Sequence, residues 1–144
     1  MPVHPIVFFP DPRLRQIAAP VSMFDAPLRN LAADLLDTLR AAPGIGITAP
    51  HIGIALRVVV LDLPDTAAPQ IYINPKIIWR SETTEQHDEG SISMPGISAP
   101  VMRPAATKVR YADLEGDIHT DEASGLRPVC LQHEIDPLDG VFLP

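Results

Sequence analysis

Seventeen of the 144 residues are proline, and they are distributed along the whole chain. A proline inside a helix removes a backbone hydrogen bond, and inside a sheet it is confined to edges and bulges. Long coiled coils and helical solenoids are therefore excluded. We expect many loops, short strands and few helices. Because a chain of this length can bury a full core, we expect a single domain over residues 1–144.

Two segments have the pattern of a helix. Asp25 followed by Pro27 is typical of a helix start, and leucines recur at helical spacing from Leu28 to Leu39. A second helix is predicted over 124–138, with its end near Gly140. Short apolar and β-branched segments predict strands at 57–61, 71–74, 77–79, 108–111 and 117–120, with Gly116 as the turn between the last two. Two helices among several short strands predict the α+β class.

The second helix carries the side chains that most suggest chemistry. At about 100° per residue, Gln132, Asp136 and Asp139 share one arc, which predicts the solvent face. Glu134 lies nearly opposite that arc, and His133 lies on the flank of the buried side. A buried carboxylate without a partner is costly, so an inward-facing His-Glu pair indicates a functional site.

Charge and composition exclude several classes of function. The chain has 18 acidic and 11 basic residues, a net charge of −7, and no long basic run, so we expect no nucleic-acid binding. No apolar stretch approaches the roughly 20 residues that span a bilayer, so we expect no membrane insertion. The single cysteine, Cys130, cannot form an internal disulfide, which favours a reducing compartment and predicts a cytoplasmic protein.

Three motifs in a fixed order identify a family. The segment His133–Pro137 differs by one residue from H-E-x-x-H, in which two imidazoles one helical turn apart bind a metal. With Gly44–His51 and Glu89–Gly96 before it, this segment resembles the signature motifs of the peptide deformylases. Further matches to that family are Arg13, Asn74-Pro75, Arg103-Pro104 and Leu138–Gly140.

The resemblance implies a fold and a reaction. The implied fold is α+β, with short antiparallel strands around a central C-terminal helix that carries His133 and Glu134. The implied reaction is metal-dependent hydrolysis that removes the formyl group from the N-terminal methionine of nascent peptides. The family's metal is usually Fe²⁺, although other divalent metals also serve.

The resemblance also assigns roles, and two of the metal ligands are altered. At the family's ligand positions this chain has Ser91 for Cys, His133 for the first His and Pro137 for the second His. Glu134 takes the position of the general acid/base. His51 stands where the family has an oxyanion-binding Gln, and the backbone N–H of Ile92 is the second oxyanion donor. By the same resemblance, the substrate-binding residues are Ile45, Gly46, Gly90, Arg103, Leu126, Val129 and Cys130.

These substitutions leave three hypotheses open. A serine hydroxyl is a far weaker acid than a thiol, whose pKa is about 8.5, and proline offers no ligand atom. In the first hypothesis the chain has lost its metal and most of its activity but keeps a pocket for a peptide N-terminus or another small ligand. No cofactor is then expected, and the net charge of −7 argues against stable docking on the ribosome.

The other two hypotheses keep hydrolysis. In the second, His51 and His133 bind a divalent metal, with Glu134, Glu89 or Ser91 as a further oxygen ligand. In the third, Ser91 is a nucleophile activated by His133, and no metal takes part. Both remain alternatives at the level of sequence.

Overall fold

The computed structural model describes residues 3–42, 44–63, 68–124 and 126–141, and for 95–96, 123–124 and 126–129 it describes the backbone alone. Helix α1 spans Ala26–Ala41, as predicted. Its first turn is capped by the Asp25 carboxylate, which accepts a hydrogen bond of 3.2 Å from the backbone N–H of Leu28. Helix α2 spans Leu126–Leu138 and begins two residues later than predicted, because Ser124 belongs to the preceding strand.

In the part of the chain that the structure describes, seven antiparallel strands form two sheets. The five-stranded sheet has the order β1-β2-β3-β6-β7, and β4 and β5 form a separate hairpin. The strands are β1 Gly46–Thr48, β2 Val58–Leu61, β3 Gln70–Arg80, β4 Thr84–Ser91, β5 Met94–Pro104, β6 Ala106–Ala112 and β7 Ile118–Ser124. The structure therefore has the predicted α+β class, with antiparallel strands around α2.

Strand β2 connects the two halves of the core. Val58 and Val60 belong to an apolar cluster that includes buried residues of α1. Val59 and Leu61 belong to a second cluster that includes Leu131 of α2. Side chains alternate between the two faces of a strand, so β2 is buried on both sides and the sheet lies between α1 and α2.

Two strand predictions need correction. The segments at 71–74 and 77–79 are not separate strands but parts of β3, which changes register between Ile73 and Lys76. Asn74 lies at this irregularity with φ of 51°, and its side-chain amide bonds to both backbone groups of Val21 at 2.7 and 2.9 Å. This irregularity hides the continuity of β3 in the sequence.

The β4–β5 hairpin was not predicted from the sequence. Strand β4 is polar along almost its whole length, and β5 contains three prolines, so neither has the alternation of a half-buried strand. Each of these strands has a free edge in a two-stranded sheet, where prolines are tolerated.

The predicted solvent face of α2 is wrong at Gln132. Gln132 is 3% exposed, and its side-chain amide donates a hydrogen bond of 3.1 Å to the carbonyl of Pro104. Asp136 is half-buried and forms an ion pair of 2.8 Å with Arg103 of β5, whereas Asp139 is exposed as predicted. The cause is β5, which covers this side of α2 and leaves the helix surrounded by strands. In the described part of the chain, no helix is long and apolar enough to cross a membrane.

Candidate active site

A cavity of about 720 Å³ lies between α2, the β4–β5 hairpin and the loop that leads into β1. Most of the predicted site residues line it, namely Ile45, Gly46, Gly90, Ser91, Ile92, Cys130, His133 and Glu134. Two others reach it through a neighbour: His51 is buried behind Ser91, and Arg103 binds Glu89. The predicted side chains of Leu126 and Val129 lie outside the described residues.

Glu134 is a buried carboxylate that extends toward the cavity. The residue is only 6% exposed, and burial raises the pKa of its carboxyl group to about 7. The carboxylate oxygen Oε1 lies 3.7 Å from His133 Nε2, whereas Oε2 has no hydrogen-bond partner among the described residues. A Cβ at Gly46 would lie 2.8 Å from the Glu134 Cγ, so glycine is needed here for the carboxylate to take this place.

Glu89 is the second buried carboxylate, and three donors satisfy it. Arg103 donates to both of its oxygens at 3.0 and 2.8 Å, and His133 Nδ1 lies 2.8 Å from Oε1. Burial opposes ionisation of Glu89, but the hydrogen bonds from His133 and Arg103 prevail and hold its pKa at about 2. Burial likewise opposes protonation of His133, but its bond to Glu89 raises the His133 pKa above the usual 6.5.

His51 is held in one tautomer by Thr48, three residues earlier in the chain. The backbone N–H of Thr48 donates to His51 Nδ1 at 3.0 Å, so Nδ1 is an acceptor. Burial, followed by the charge of His133, lowers the His51 pKa to about 3, so the ring is neutral and its proton lies on Nε2. Nε2 lies 3.2 Å from Ser91 Oγ and therefore donates to it.

This arrangement bears on two of the sequence hypotheses. A metal at His51 would need the lone pair of Nε2, but that nitrogen carries the proton. A nucleophilic Ser91 would need His133 to accept its proton, but His133 Nδ1 lies 2.8 Å from Glu89 Oε1 and its Nε2 lies 3.7 Å from Glu134 Oε1. The geometry therefore favours neither a metal bound by His51 nor a serine activated by His133.

The residues at the family's ligand positions do not fit a catalytic divalent metal. Catalytic zinc sites have three protein ligands, and here Ser91 and Pro137 accompany a single imidazole. The ranges that the structure describes contain no group of three His, Cys, Asp or Glu side chains arranged to hold a metal ion. The serine oxygen is also engaged with two protein donors.

Sequence reasoning missed two participants in this site. Asp136 was assigned to solvent, although it forms an ion pair with Arg103, and Thr48 was not singled out. A signal for Thr48 was present, because Thr-Ala-Pro-His has the spacing of a capping box with a histidine at its fourth position. No comparable signal existed for Asp136, since its partner is remote in sequence.

Comparison with known proteins agrees with this architecture. The chain belongs to the peptide deformylase family, because the family model described as polypeptide deformylase matches residues 3–144. A Brucella melitensis protein called "peptide deformylase-like" is 61% identical over 142 residues, which cover 99% of this chain and 87% of the relative. A Mesorhizobium japonicum protein called "peptide deformylase" is 48% identical over 145 residues, which cover 99% of this chain and 82% of the relative.

Solved structures give the same result. The peptide deformylase of Thermotoga maritima superposes with a TM-score of 0.94 at 34% identity, covering 98% of this chain and 95% of that chain. The enzyme of Synechococcus elongatus, solved in complex with actinonin, superposes with a TM-score of 0.93 at 38% identity, covering 99% of this chain and 79% of that chain. The family and the fold predicted from the three motifs are therefore confirmed.

Proposed function

We propose that this chain is a deformylase-family protein that holds no divalent metal and binds a peptide N-terminus, or a small ligand of similar shape, with little or no hydrolysis. The donor set carries the proposal: of the three positions that hold the family's metal, only His133 offers a good ligand. The cavity supports the binding role, because it combines apolar walls with a buried carboxylate.

The loss of metal would remove most of the catalytic power. General-base catalysis by a positioned side chain contributes roughly 10²–10⁴-fold, which does not replace a metal that activates water at neutral pH. Glu134 alone therefore leaves formyl-Met peptides largely intact. The role that remains is recognition of the ligand.

The remaining expectations about partners belong to the same proposal. The net charge of −7 supports the absence of nucleic-acid binding and of stable docking on the ribosome. The lone cysteine supports a cytoplasmic location, because no internal disulfide is possible.

Metal content and turnover test the proposal together. Protein purified without chelator should contain far less than one equivalent of Fe, Zn, Ni or Co, and should not measurably deformylate formyl-Met peptides where an ordinary deformylase is easily assayed. Near-stoichiometric metal that is released by His51→Ala would instead support the His51–His133 site. Turnover that survives EDTA and is abolished by Ser91→Ala would support the serine hydrolase.

A further inference from the structure

The sheet face toward α1 continues beyond the helix over β3, β6 and β7. Helix α1 packs against β1 and β2, and most side chains on the continuation are exposed. Residues directly opposite each other on paired strands point to the same side of a sheet, so the register defines three rows. The rows are Ile73–Ala112–Ile118, Lys76–Arg110–Thr120 and Trp79–Lys108–Glu122. Ile73 and Ala112 join the apolar cluster under α1, and the other two rows lie beyond that cluster.

Four residues of these rows form a basic face, namely Lys76, Trp79, Lys108 and Arg110. Three of the eleven basic residues are thus gathered on one surface of a chain whose net charge is −7. Lys108 lies 3.7 Å from Glu122 in an ion pair whose side chains are 45% and 58% exposed, so its charge is only weakly neutralised. Among the described residues, no acidic side chain pairs with Lys76 or Arg110.

Lys76 and Arg110 are an unfavourable pair in the free protein. They lie directly opposite each other on β3 and β6. The Cβ atoms of such a pair are roughly 5 Å apart, and like charges in this position destabilise the sheet. An anion over both side chains would replace one repulsion by two attractions. The pair therefore indicates a binding surface for negative charge.

Trp79 and Ile118 give the same surface an apolar component. Trp79 is 43% exposed beside Lys108, and Ile118 is 65% exposed at the other end of the rows. Tryptophan and arginine are enriched in protein–protein interfaces, where an aromatic side chain supplies much of the contact area. This combination is typical of a surface that contacts another polypeptide.

We infer that the basic face docks an extended acidic segment of a partner protein. Every second side chain of an extended segment points the same way, about 7 Å from the previous one, and the three rows have the same spacing. An apolar side chain then lies on Ile118, and the next carboxylate lies over Lys76 and Arg110. A second carboxylate lies over Lys108, with its methylene groups against Trp79. The recognised pattern is apolar-x-acidic-x-acidic.

Charge argues against other occupants of the basic face. A second copy in a symmetric contact would place these cations against the same cations. Nucleic acids and anionic membranes are bound by larger sets of cations, whereas this face has three, one of which is shared with Glu122. A short acidic segment needs no more positive charge than the basic face provides.

Trp79 is the only tryptophan of the chain, so tryptophan fluorescence reports on the basic face directly. The probe is the peptide acetyl-Leu-Ser-Glu-Ser-Glu-amide, and the matched peptide has Gln in place of both Glu. At low salt the acidic peptide should change the Trp79 emission saturably on the full chain. The Gln peptide should bind about tenfold more weakly, because it loses the ion pairs. High salt should weaken the acidic peptide alone.

A pair of double variants separates the basic face from net charge. Lys76→Gln with Arg110→Gln should weaken the acidic peptide about tenfold and leave the Gln peptide unchanged. Arg15→Gln with Arg29→Gln is the matched control, because both residues are exposed elsewhere and the net charge changes equally. Lys76→Gln alone should raise the urea midpoint of the free protein, since it removes the repulsion from Arg110.

The outcomes that contradict the inference are distinct. No change in Trp79 emission, equal binding of the two peptides, or an equal loss in both double variants would overturn it. Tighter binding of an oligouridylate, lost with Lys76→Gln and Arg110→Gln, would assign the basic face to RNA and overturn the polypeptide partner. The comparison of peptides and salt uses the unaltered chain, so it decides the matter even if a variant fails to fold.

Discussion

The two faces of the five-stranded sheet are packed by different chemistry. On the face toward α1, buried Leu28, Leu35 and Leu39 meet Val58 and Val60 in a purely apolar cluster. On the face toward α2, apolar packing gives way at the cavity to two buried carboxylates and an imidazole. The first face depends on volume and shape, whereas the second depends on the partner that each charged group finds.

The two carboxylates show what a partner does in the same cavity. Glu89 and Glu134 are almost equally buried, at 7% and 6% exposed. Glu89 has Arg103 and His133 as hydrogen-bond donors and a pKa of about 2. Glu134 has a pKa of about 7, and its Oε2 has no hydrogen-bond partner among the described residues. Burial alone therefore does not set the charge of this face, and the α2 side should respond to changes that leave the α1 side unaffected.

The largest expected effect is the return of a metal to the α2 side. Ser91→Cys together with Pro137→His should bind about one equivalent of Co²⁺ or Zn²⁺, because positions 133 and 137 lie one helical turn apart. Loss of Pro137 also restores a backbone donor to the His133 carbonyl, so the helix should tolerate the change. Thiolate-to-cobalt absorption measures the result directly.

The single variant Ser91→Cys is the control for metal binding. It supplies only one additional ligand and should bind cobalt far more weakly than the double variant. A double variant that is folded but stays metal-free would show that the loop or the helix has diverged beyond its ligand residues.

The next largest effect concerns the hydrogen-bonded cluster of Arg103, Glu89 and His133. Arg103→Met should lower the free energy of unfolding by about 3–5 kcal/mol, because it leaves a buried carboxylate without its principal partner. Equilibrium unfolding in urea measures the loss. In a Glu89→Gln background the same change should cost much less, since the buried charge is absent. A loss below about 1 kcal/mol in the wild-type background would contradict this account.

Leu35→Ala provides the matched change on the α1 side. Leu35 is fully buried, and its truncation should cost about 2–5 kcal/mol through lost apolar contact and the cavity that remains. This loss should be the same with or without Glu89→Gln, because the two sites share no contact. Dependence of the Leu35→Ala loss on position 89 would mean that the two faces are not independent.

The smallest expected effect lies outside both faces. His119 of β7 is exposed, and its hydrogen bond of 2.7 Å to Asp113 raises its pKa above 6.5. A histidine with a raised pKa stabilises the folded state at low pH, and that contribution is lost as the pH rises through the folded pKa. NMR titration should show the raised value, and Asp113→Asn should return it toward 6.5. An unchanged pKa in Asp113→Asn would contradict the assigned cause.

The α1 side and the motifs could be predicted from local patterns, because each depends on residues close in sequence. The cap at Asp25 and the leucine spacing lie within one helix, and the predicted α1 is correct. The three motifs likewise identified the family. Local sequence patterns are sufficient to predict an element when one of its faces is apolar and the other faces solvent.

The α2 side depended on contacts that the sequence does not display. Helix α2 has strands on several sides, so its polar residues do not mark a solvent face, and Gln132 is buried against Pro104. The register of the β4–β5 hairpin, which the sequence did not predict, places Arg103 opposite Glu85. In this position Arg103 reaches both Glu89 and Asp136. The tautomer of His51 likewise follows from a backbone N–H, which every residue except proline possesses.

The burial of β2 on both faces has a consequence for motion. Strand β2 pairs with β1 on one side and β3 on the other, and its side chains are fully buried. We therefore expect its backbone amides to exchange with deuterium only when the whole molecule unfolds. Gly46 of β1, which lines the cavity beside Glu134, pairs with Leu61 of β2. This wall of the cavity is therefore held by the strand that we expect to exchange most slowly. The opposite wall belongs to a two-stranded hairpin with free edges, which opens locally at lower cost. We therefore expect the amides of β4 and β5 to exchange with deuterium faster than those of β2.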